Sequence, residues 1–268
     1  MDERLNVNRA RWDELVPIHM RSRFYDLESF EAGRCSLRPL ELRALGEVRG
    51  KSLLHLQCHF GQDTLSWARR GAIVTGVDFS PVAIEAARAL AHRIAVEGRF
   101  VLSDVLRLRE VLNEQFDVVF TSYGVVGWLP DIGAWGRVVA ASLKPGGRFF
   151  LAEVHPAILM FEWDDSTQGM KLASPYFGGA EPLYGEFESS YADAGAKLVN
   201  RGEYWFVHTL GDVVNALIEA GLTIEALHEH PFGICSLLPG SKQAEDGWWY
   251  LPEGSIAVPQ LYSILARR

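Results

Sequence analysis

Asp78 is the residue whose type and position most plainly invite chemistry. It ends the apolar run Ile73–Val77 and stands seventeen residues after Gly61, within the stretch Leu53–Ser80. A carboxylate at the tip of a buried strand can accept hydrogen bonds from two vicinal hydroxyls, which is what a ribose offers. The turn Gln57–Gly61 opens onto a helix, and a helix N-terminus with its free backbone N–H groups suits the polar tail of the same ligand. These features together describe a nucleoside site and leave the nucleoside open. Four histidines, His155, His208, His228 and His230, are candidates for a general base beside a second substrate, because imidazole titrates near neutral pH. His55, Cys58 and His59 could be metal ligands by type. Cys58 points away from the two histidines along an extended strand, however, and no second cluster stands at a zinc-like spacing, so they read as polar groups of a loop and no metal is expected.

The elements that must position these residues follow from hydropathy and turn chemistry. Ser52–Leu56 is short and apolar with turn residues on both sides, as a buried parallel strand is. Gln62–Arg70 reads as a helix ended by Gly71, and Ser80 caps a further helix, Pro81–Val96, with proline at its first position. Arg99–Leu102, Phe116–Thr121 and Arg148–Val154 read as strands. Asp131–Leu143 is a helix followed by the turn Lys144–Gly147. Strands that alternate with helices in this way predict a parallel α/β sheet with right-handed crossovers. The first fifty residues read as a helical preface, either packing on the sheet or forming a flap over the ligand with Trp12, Tyr25 or Arg34. From His155 to His208 the alternation stops, and ten of the fifty residues Ala157–Phe206 are aromatic. So long a stretch without structure is improbable in a compact domain, and a small antiparallel insertion or lid is expected. Leu210–Ala220 then reads as a helix, and Leu222–His230 and Gln260–Arg267 as closing strands.

Composition narrows the classes. The chain has 268 residues and a formal net charge of −8, with no dense run of Lys or Arg, so no nucleic-acid footprint is expected. No apolar run approaches the ~20 residues needed to span a bilayer, and the first residues lack the order of a secretion signal, so no membrane partner is expected. Cys35, Cys58 and Cys235 are few, odd in number and widely spaced, which fits reduced thiols and a cytoplasmic location.

The segments Leu53–Gly61, Val74–Ser80, Ser103–Asp104, Phe116–Ser122 and Leu143–Gly147 together resemble the class I S-adenosylmethionine-dependent methyltransferases. The Leu-Lys-Pro-Gly-Gly before a strand is a habitual mark of that family. The resemblance covers residues 50–155 well and 209–267 loosely. It implies a Rossmann-like, seven-stranded, mostly parallel sheet with helices on both faces and the last strand antiparallel. The domain would comprise residues 51–155 and 209–268, with a cap at 1–50 and an insertion at 156–208. It also implies S-adenosylmethionine as cofactor and a small-molecule acceptor nucleophile of oxygen, nitrogen or sulfur, in a monomer or homodimer. Gln57, Cys58, His59, Gly61 and Asp63 would surround the methionine part, and Asp78 would bind the ribose hydroxyls. Phe79 would lie against the adenine, with Asp104 accepting from its amino group and the Val105 N–H nearby, and Ser80 and Ser103 would also belong to the cofactor site. Thr121, Ser122 and Tyr123 would border the sulfonium. The insertion would be a lid over an apolar acceptor pocket floored by Tyr123 and Trp128, with Tyr123, His155 and His208 as catalytic candidates. One departure stands out: where the family has acidic-x-Gly-x-Gly-x-Gly, this chain has His55, Gln57, His59 and Gly61. Two alternatives stay open, a nicotinamide-dependent oxidoreductase, whose Gly-x-Gly-x-x-Gly pattern is absent here, and a non-catalytic nucleoside-binding protein.

Overall fold

A computed structural model describes residues 3–164, 166, 169–179, 181–255 and 257–268, with the side chains of Trp163 and Asp164 outside that description. The preface forms three helices, α1 (Glu3–Arg21), α2 (Leu27–Glu31) and α3 (Pro39–Leu45). The domain then runs β1 (Ser52–Leu56), α4 (Gln62–Arg69), β2 (Ile73–Asp78), α5 (Pro81–Arg93), β3 (Arg99–Leu102), β4 (Phe116–Ser122), α6 (Ile132–Ser142) and β5 (Leu143–Val154). Two antiparallel hairpins follow, β6 (Phe161–Asp164) with β7 (Gly169–Leu172) and β8 (Leu183–Glu186) with β9 (Gly202–Trp205). After α7 (Leu210–Glu219) and β10 (Thr223–His230), short strands β11 (Phe232–Gly233), β12 (Lys242–Gln243) and β13 (Trp249–Tyr250) form a small sheet, and β14 (Leu261–Arg267) closes the fold. Among the described residues no helix is long and apolar enough to cross a membrane.

The main sheet has the order β10-β14-β5-β4-β1-β2-β3. Neighbours from β5 to β3 are parallel, and β14 runs antiparallel to both β5 and β10. This is the expected Rossmann-like sheet. The period-two alternation of each strand sends side chains to opposite faces. Leu54, Leu56 and Val119 pack under α6 and α7, while Leu53, Phe120 and Phe150 pack with Trp67 of α4 and Leu45 of α3. Phe60, Leu65 and Phe100 join Ile84 and Leu90 of α5 in a third cluster, which Val16 of α1 and Phe30 of α2 complete. Ser80 caps α5 by accepting from the Ala83 N–H, so the chain turns sharply after Asp78, as its sequence foretold.

The preface does more than pack. Asn8, Arg11 and Glu14 line one side of α1 and hold the insertion through its backbone. The Asn8 amide donates to the Tyr204 carbonyl and accepts from the Tyr204 N–H, as a neighbouring strand would. Buried Arg11 donates to the carbonyls of Phe187, Asn200 and Arg201 and pairs with Glu203 at 2.8 Å. Glu14 accepts from the N–H groups of Val199 and Asn200, which keep its carboxyl acidic against the pull of burial. The insertion is therefore bolted to the cap helix, and the cap helix to the sheet.

Candidate active site

A cavity of about 200 Å³ opens at the carboxyl ends of β1, β2 and β4, under α1 and the chain that follows it. Ligands bind at this edge of open α/β sheets because strand ends and helix N-termini converge there. Asp78 marks one pole. One carboxylate oxygen accepts from the His59 N–H (2.8 Å) and the other from the Ser80 N–H (2.9 Å), and the residue is 7% exposed. Burial pushes its carboxyl up to about 6, against the lowering effect of those N–H donors.

The loop after β1 has the shape that glycines would give it. Gln57 and His59 stand at φ +57° and +50°, and Gly61 at +81°. Left-handed backbone at a residue with a side chain costs on the order of 1–3 kcal/mol and persists only where the surroundings fix it. Here they do. The Gln57 amide donates to the Val125 carbonyl, leaving its buried Oε1 without a partner among the described residues. The His59 ring is wedged among Trp12, Tyr25, Phe60 and His19. His59 Nε2 lies 2.9 Å from His19 Nδ1, and His19 Nε2 lies 2.8 Å from the Ser190 hydroxyl. Burial holds both rings neutral, His19 down to about 3. Tyr25 and Tyr191 also join hydroxyls, so both rings of this roof are tied to the insertion.

The opposite pole is a buried acidic network. Asp63, at the start of α4, accepts from the hydroxyls of Ser36 and Ser122, and burial raises its carboxyl. His55 sits between Thr64 and Ser122, at 2.8 and 3.3 Å. Tyr123 donates to Glu41, whose carboxyl burial and the nearby Asp63 charge raise to about 7. Arg34 and Arg38 line the same cavity. Glu41, Ser36 and Arg38 escaped the sequence reading because Arg38-Pro39-Leu40-Glu41 looks like, and is, a helix cap; nothing local tells that this cap is buried. Tyr191 reaches the cavity from the aromatic insertion, whose rings were expected to line a pocket, while Ile234 comes from a distant loop and carries no sequence signal.

Of the expected residues, Trp12, Tyr25, Gln57, Cys58, His59, Gly61, Asp63, Asp78, Phe79, Ser122 and Tyr123 converge on this cavity. Ser80 and Thr121 lie just behind it, buried in the α5 cap and in β4. Ser103, Asp104 and Val105 do not line it. The Ser103 N–H bonds the Asp78 carbonyl, which places this trio beside Asp78, and Asp104 caps the turn Val105–Glu110 through the Leu106 N–H.

The aromatic insertion divides. Tyr191 closes the first cavity, while Tyr184, Phe187, Trp205 and Phe206 line a second of about 440 Å³. The turn Gly124–Trp128 separates the two: Val125 and Trp128 face the first, Val126 and Gly127 the second. Buried Glu153 fixes this wall by accepting the N–H groups of Gly124, Val125 and Val126. Trp128 stands edge-on between Trp12 (5.4 Å) and Trp205 (5.1 Å), and the Trp205 ring lies so close to Gly127 that a Cβ there would sit 2.1 Å from it. Tyr123 and Trp128 thus belong to the first cavity instead of flooring the second. His208 lines the second cavity. Its Nε2 donates to the Leu129 carbonyl at 2.7 Å, which leaves Nδ1 as a lone pair, and burial keeps the ring neutral. His155 faces neither cavity. Its Nδ1 accepts from the Ala157 N–H and its Nε2 lies 2.9 Å from Glu229, so its lone pair is already committed to a turn.

A family model described as a methyltransferase domain matches residues 53–147. Over 158 residues the chain is 34% identical to a ubiquinone biosynthesis O-methyltransferase of Methylobacterium nodulans, covering 56% of this chain and 60% of that protein. A ubiquinone biosynthesis O-methyltransferase of Pseudomonas fluorescens is 31% identical over 157 residues, with 56% and 66% covered. The chain therefore spans less than two thirds of the length of these curated relatives. In fold it is similar to an S-adenosylmethionine-dependent methyltransferase from Mesorhizobium loti, with a TM-score of 0.59 and 22% identity over 89% of this chain and all of that one. A methyltransferase of the same description from Listeria monocytogenes gives 0.62 at 16% identity, covering 85% of this chain and 95% of that one.

Proposed function

We propose that this chain is a class I S-adenosylmethionine-dependent methyltransferase and carries a methyl group from S-adenosylmethionine to a small-molecule acceptor. The cofactor occupies the first cavity and the acceptor the second. The observation that carries the reading is the pairing of poles in the first cavity. Asp78 is a carboxylate placed for ribose hydroxyls, and about the far end stand groups for a zwitterionic tail. There the unpartnered Gln57 Oε1 and Asp63 suit an ammonium, and Arg34 and Arg38 suit a carboxylate. The donor set therefore fits the cofactor. When bound, S-adenosylmethionine supplies a methyl group on a positively charged sulfur, already activated towards nucleophiles.

The chain's own task is alignment and proton handling. Trp12, Trp128 and the Gly124–Trp128 turn set the boundary across which acceptor and cofactor meet. The roof of His19, Tyr25, His59 and Tyr191 excludes water from that meeting point. His208 is the proton acceptor, because its Nδ1 carries the lone pair and the residue lines the second cavity. His155, with its lone pair occupied, is not needed. Tyr123 acts at the cofactor's end, through its bond to Glu41.

Mass spectrometry of the intact protein under native conditions, after incubation with S-adenosylmethionine, its demethylated product or a nicotinamide dinucleotide, tests the class. Retention of the first two and not the third is expected. Retention of the nicotinamide alone would overturn the reading.

A further inference from the structure

The second cavity has a chemistry of its own. Its rings are Tyr184, Phe187, Trp205 and Phe206, and its charged groups are carboxylates, Glu153, Glu162 and Glu203, with no Lys or Arg among the described lining residues. Arg11 offsets Glu203 from behind, at 2.8 Å, and also stacks over Phe187 at 5.6 Å. Glu153 is held by backbone N–H groups, which do not cancel its charge. Glu162, on β6, is exposed at the edge and has no ion pair among the described residues. Carboxylates interleaved with electron-rich ring faces attract an organic cation and repel an anion.

A second observation points into the same space. Tyr262 of β14 lines this cavity, and its hydroxyl makes no hydrogen bond among the described residues. Its neighbour across the sheet is Glu153, so an unpaired hydroxyl and a carboxylate stand side by side on adjacent strands. With the free Nδ1 of His208, the cavity offers acceptors in excess, which matches a ligand that brings N–H donors.

We infer that the second cavity is the acceptor chamber and selects an organic ammonium: an amine carried on an apolar or aromatic body, its cation held by Glu162 and the rings and its N–H groups met by Tyr262. This deepens the methyltransferase reading and rests on it for the word acceptor. Recognition itself can be measured without the cofactor.

Saturation-transfer NMR on the full chain at low salt, with 2-phenylethylammonium, 2-phenylethanol and phenylacetate as probes, separates charge from shape. The ammonium is expected to bind at least about tenfold more tightly than the alcohol, and phenylacetate not at all. Glu162→Gln, at an exposed position, should narrow the ammonium-to-alcohol preference severalfold, and Tyr262→Phe should weaken both probes. An alcohol or phenylacetate that binds as well as the ammonium would overturn the inference, as would a preference unchanged in Glu162→Gln. Calorimetry with S-adenosylmethionine on the same samples keeps the two readings apart. Cofactor binding with no probe binding refutes the chamber alone. Probe binding with no cofactor binding refutes the methyltransferase reading and leaves a cation site.

Discussion

Asp78→Asn is the sharpest perturbation of the cofactor pole. The ionised carboxylate already accepts two backbone N–H groups, and a ribose would add two hydroxyl donors. Losing a charged acceptor costs about 1.5–3 kcal/mol per bond, so affinity for S-adenosylmethionine at pH 7.5 should fall by roughly 10- to 150-fold for one bond lost. The wild type should also show a pH dependence that the variant lacks. Burial raises the Asp78 carboxyl to about 6, so at pH 5 only about a tenth of the free protein carries the ionised form, and binding should weaken about tenfold from pH 7.5. Glu41 and Asp63 titrate in the same cavity, so the comparison lies in the difference between the two profiles. Isothermal calorimetry from pH 5 to 8 on both proteins measures it.

Stability supplies an independent readout of opposite sign. Because the folded value lies above the unfolded value of 3.8, the folded chain holds a proton that the unfolded chain has released between those limits. Asp78 therefore favours folding below about pH 4, and that contribution is lost as pH rises through about 6, a loss of about 3 kcal/mol. In the free protein Asp78→Asn should gain on the wild type over that window, less the cost of an amide N–H₂ that now faces a backbone N–H. A variant that binds within twofold of wild type at pH 7.5, or keeps the same pH profile, would refute the role.

Glu153→Gln should lower stability by about 1–3 kcal/mol in denaturant unfolding, because an amide cannot accept on both sides from the N–H groups of Gly124, Val125, Val126 and Val154; an unchanged midpoint would refute its part in the wall. Gly61→Ala should cost about 1–3 kcal/mol and weaken cofactor binding, since φ is +81° and the added Cβ would stand 2.8 Å from the Phe100 ring; wild-type melting would show that the loop yields.

The parallel sheet was legible because each strand is an apolar run bounded by turn chemistry and each helix carries its cap. Ser52–Leu56, Ile73–Asp78 and Arg99–Leu102 fall where hydropathy places them. The hairpins of the insertion were legible only as a class. Their pairing depends on contacts with Asn8, Arg11 and Glu14, nearly two hundred residues away, and a polar helix face reads as solvated until its partner is known. The same blindness hid Glu41 and Tyr262, whose burial comes entirely from other elements. His155 and His208 were indistinguishable by type. They differ in which ring nitrogen a backbone group occupies, an Ala157 N–H in one and a Leu129 carbonyl in the other, and only the second leaves a lone pair on a residue that lines a cavity.

The loop Gln57–Gly61 joins these threads. The sequence departs from the glycine-rich pattern, so that either Gln57 and His59 place side chains near the ligand's tail or the loop runs differently, and the backbone keeps left-handed residues at 57, 59 and 61. What glycine allows without strain, this chain enforces by contacts. Val125 holds the Gln57 amide, while Asp78 holds the His59 backbone and a cage of rings holds its imidazole. Each of those anchors is itself part of the site: Val125 belongs to the wall between the cavities, Asp78 is the pole proposed to take the ribose, and the rings form the roof. Strain in the loop is therefore coupled to the closure of the roof, through His59, His19 and Ser190. Opening the roof removes the ring contacts that offset the left-handed cost at His59.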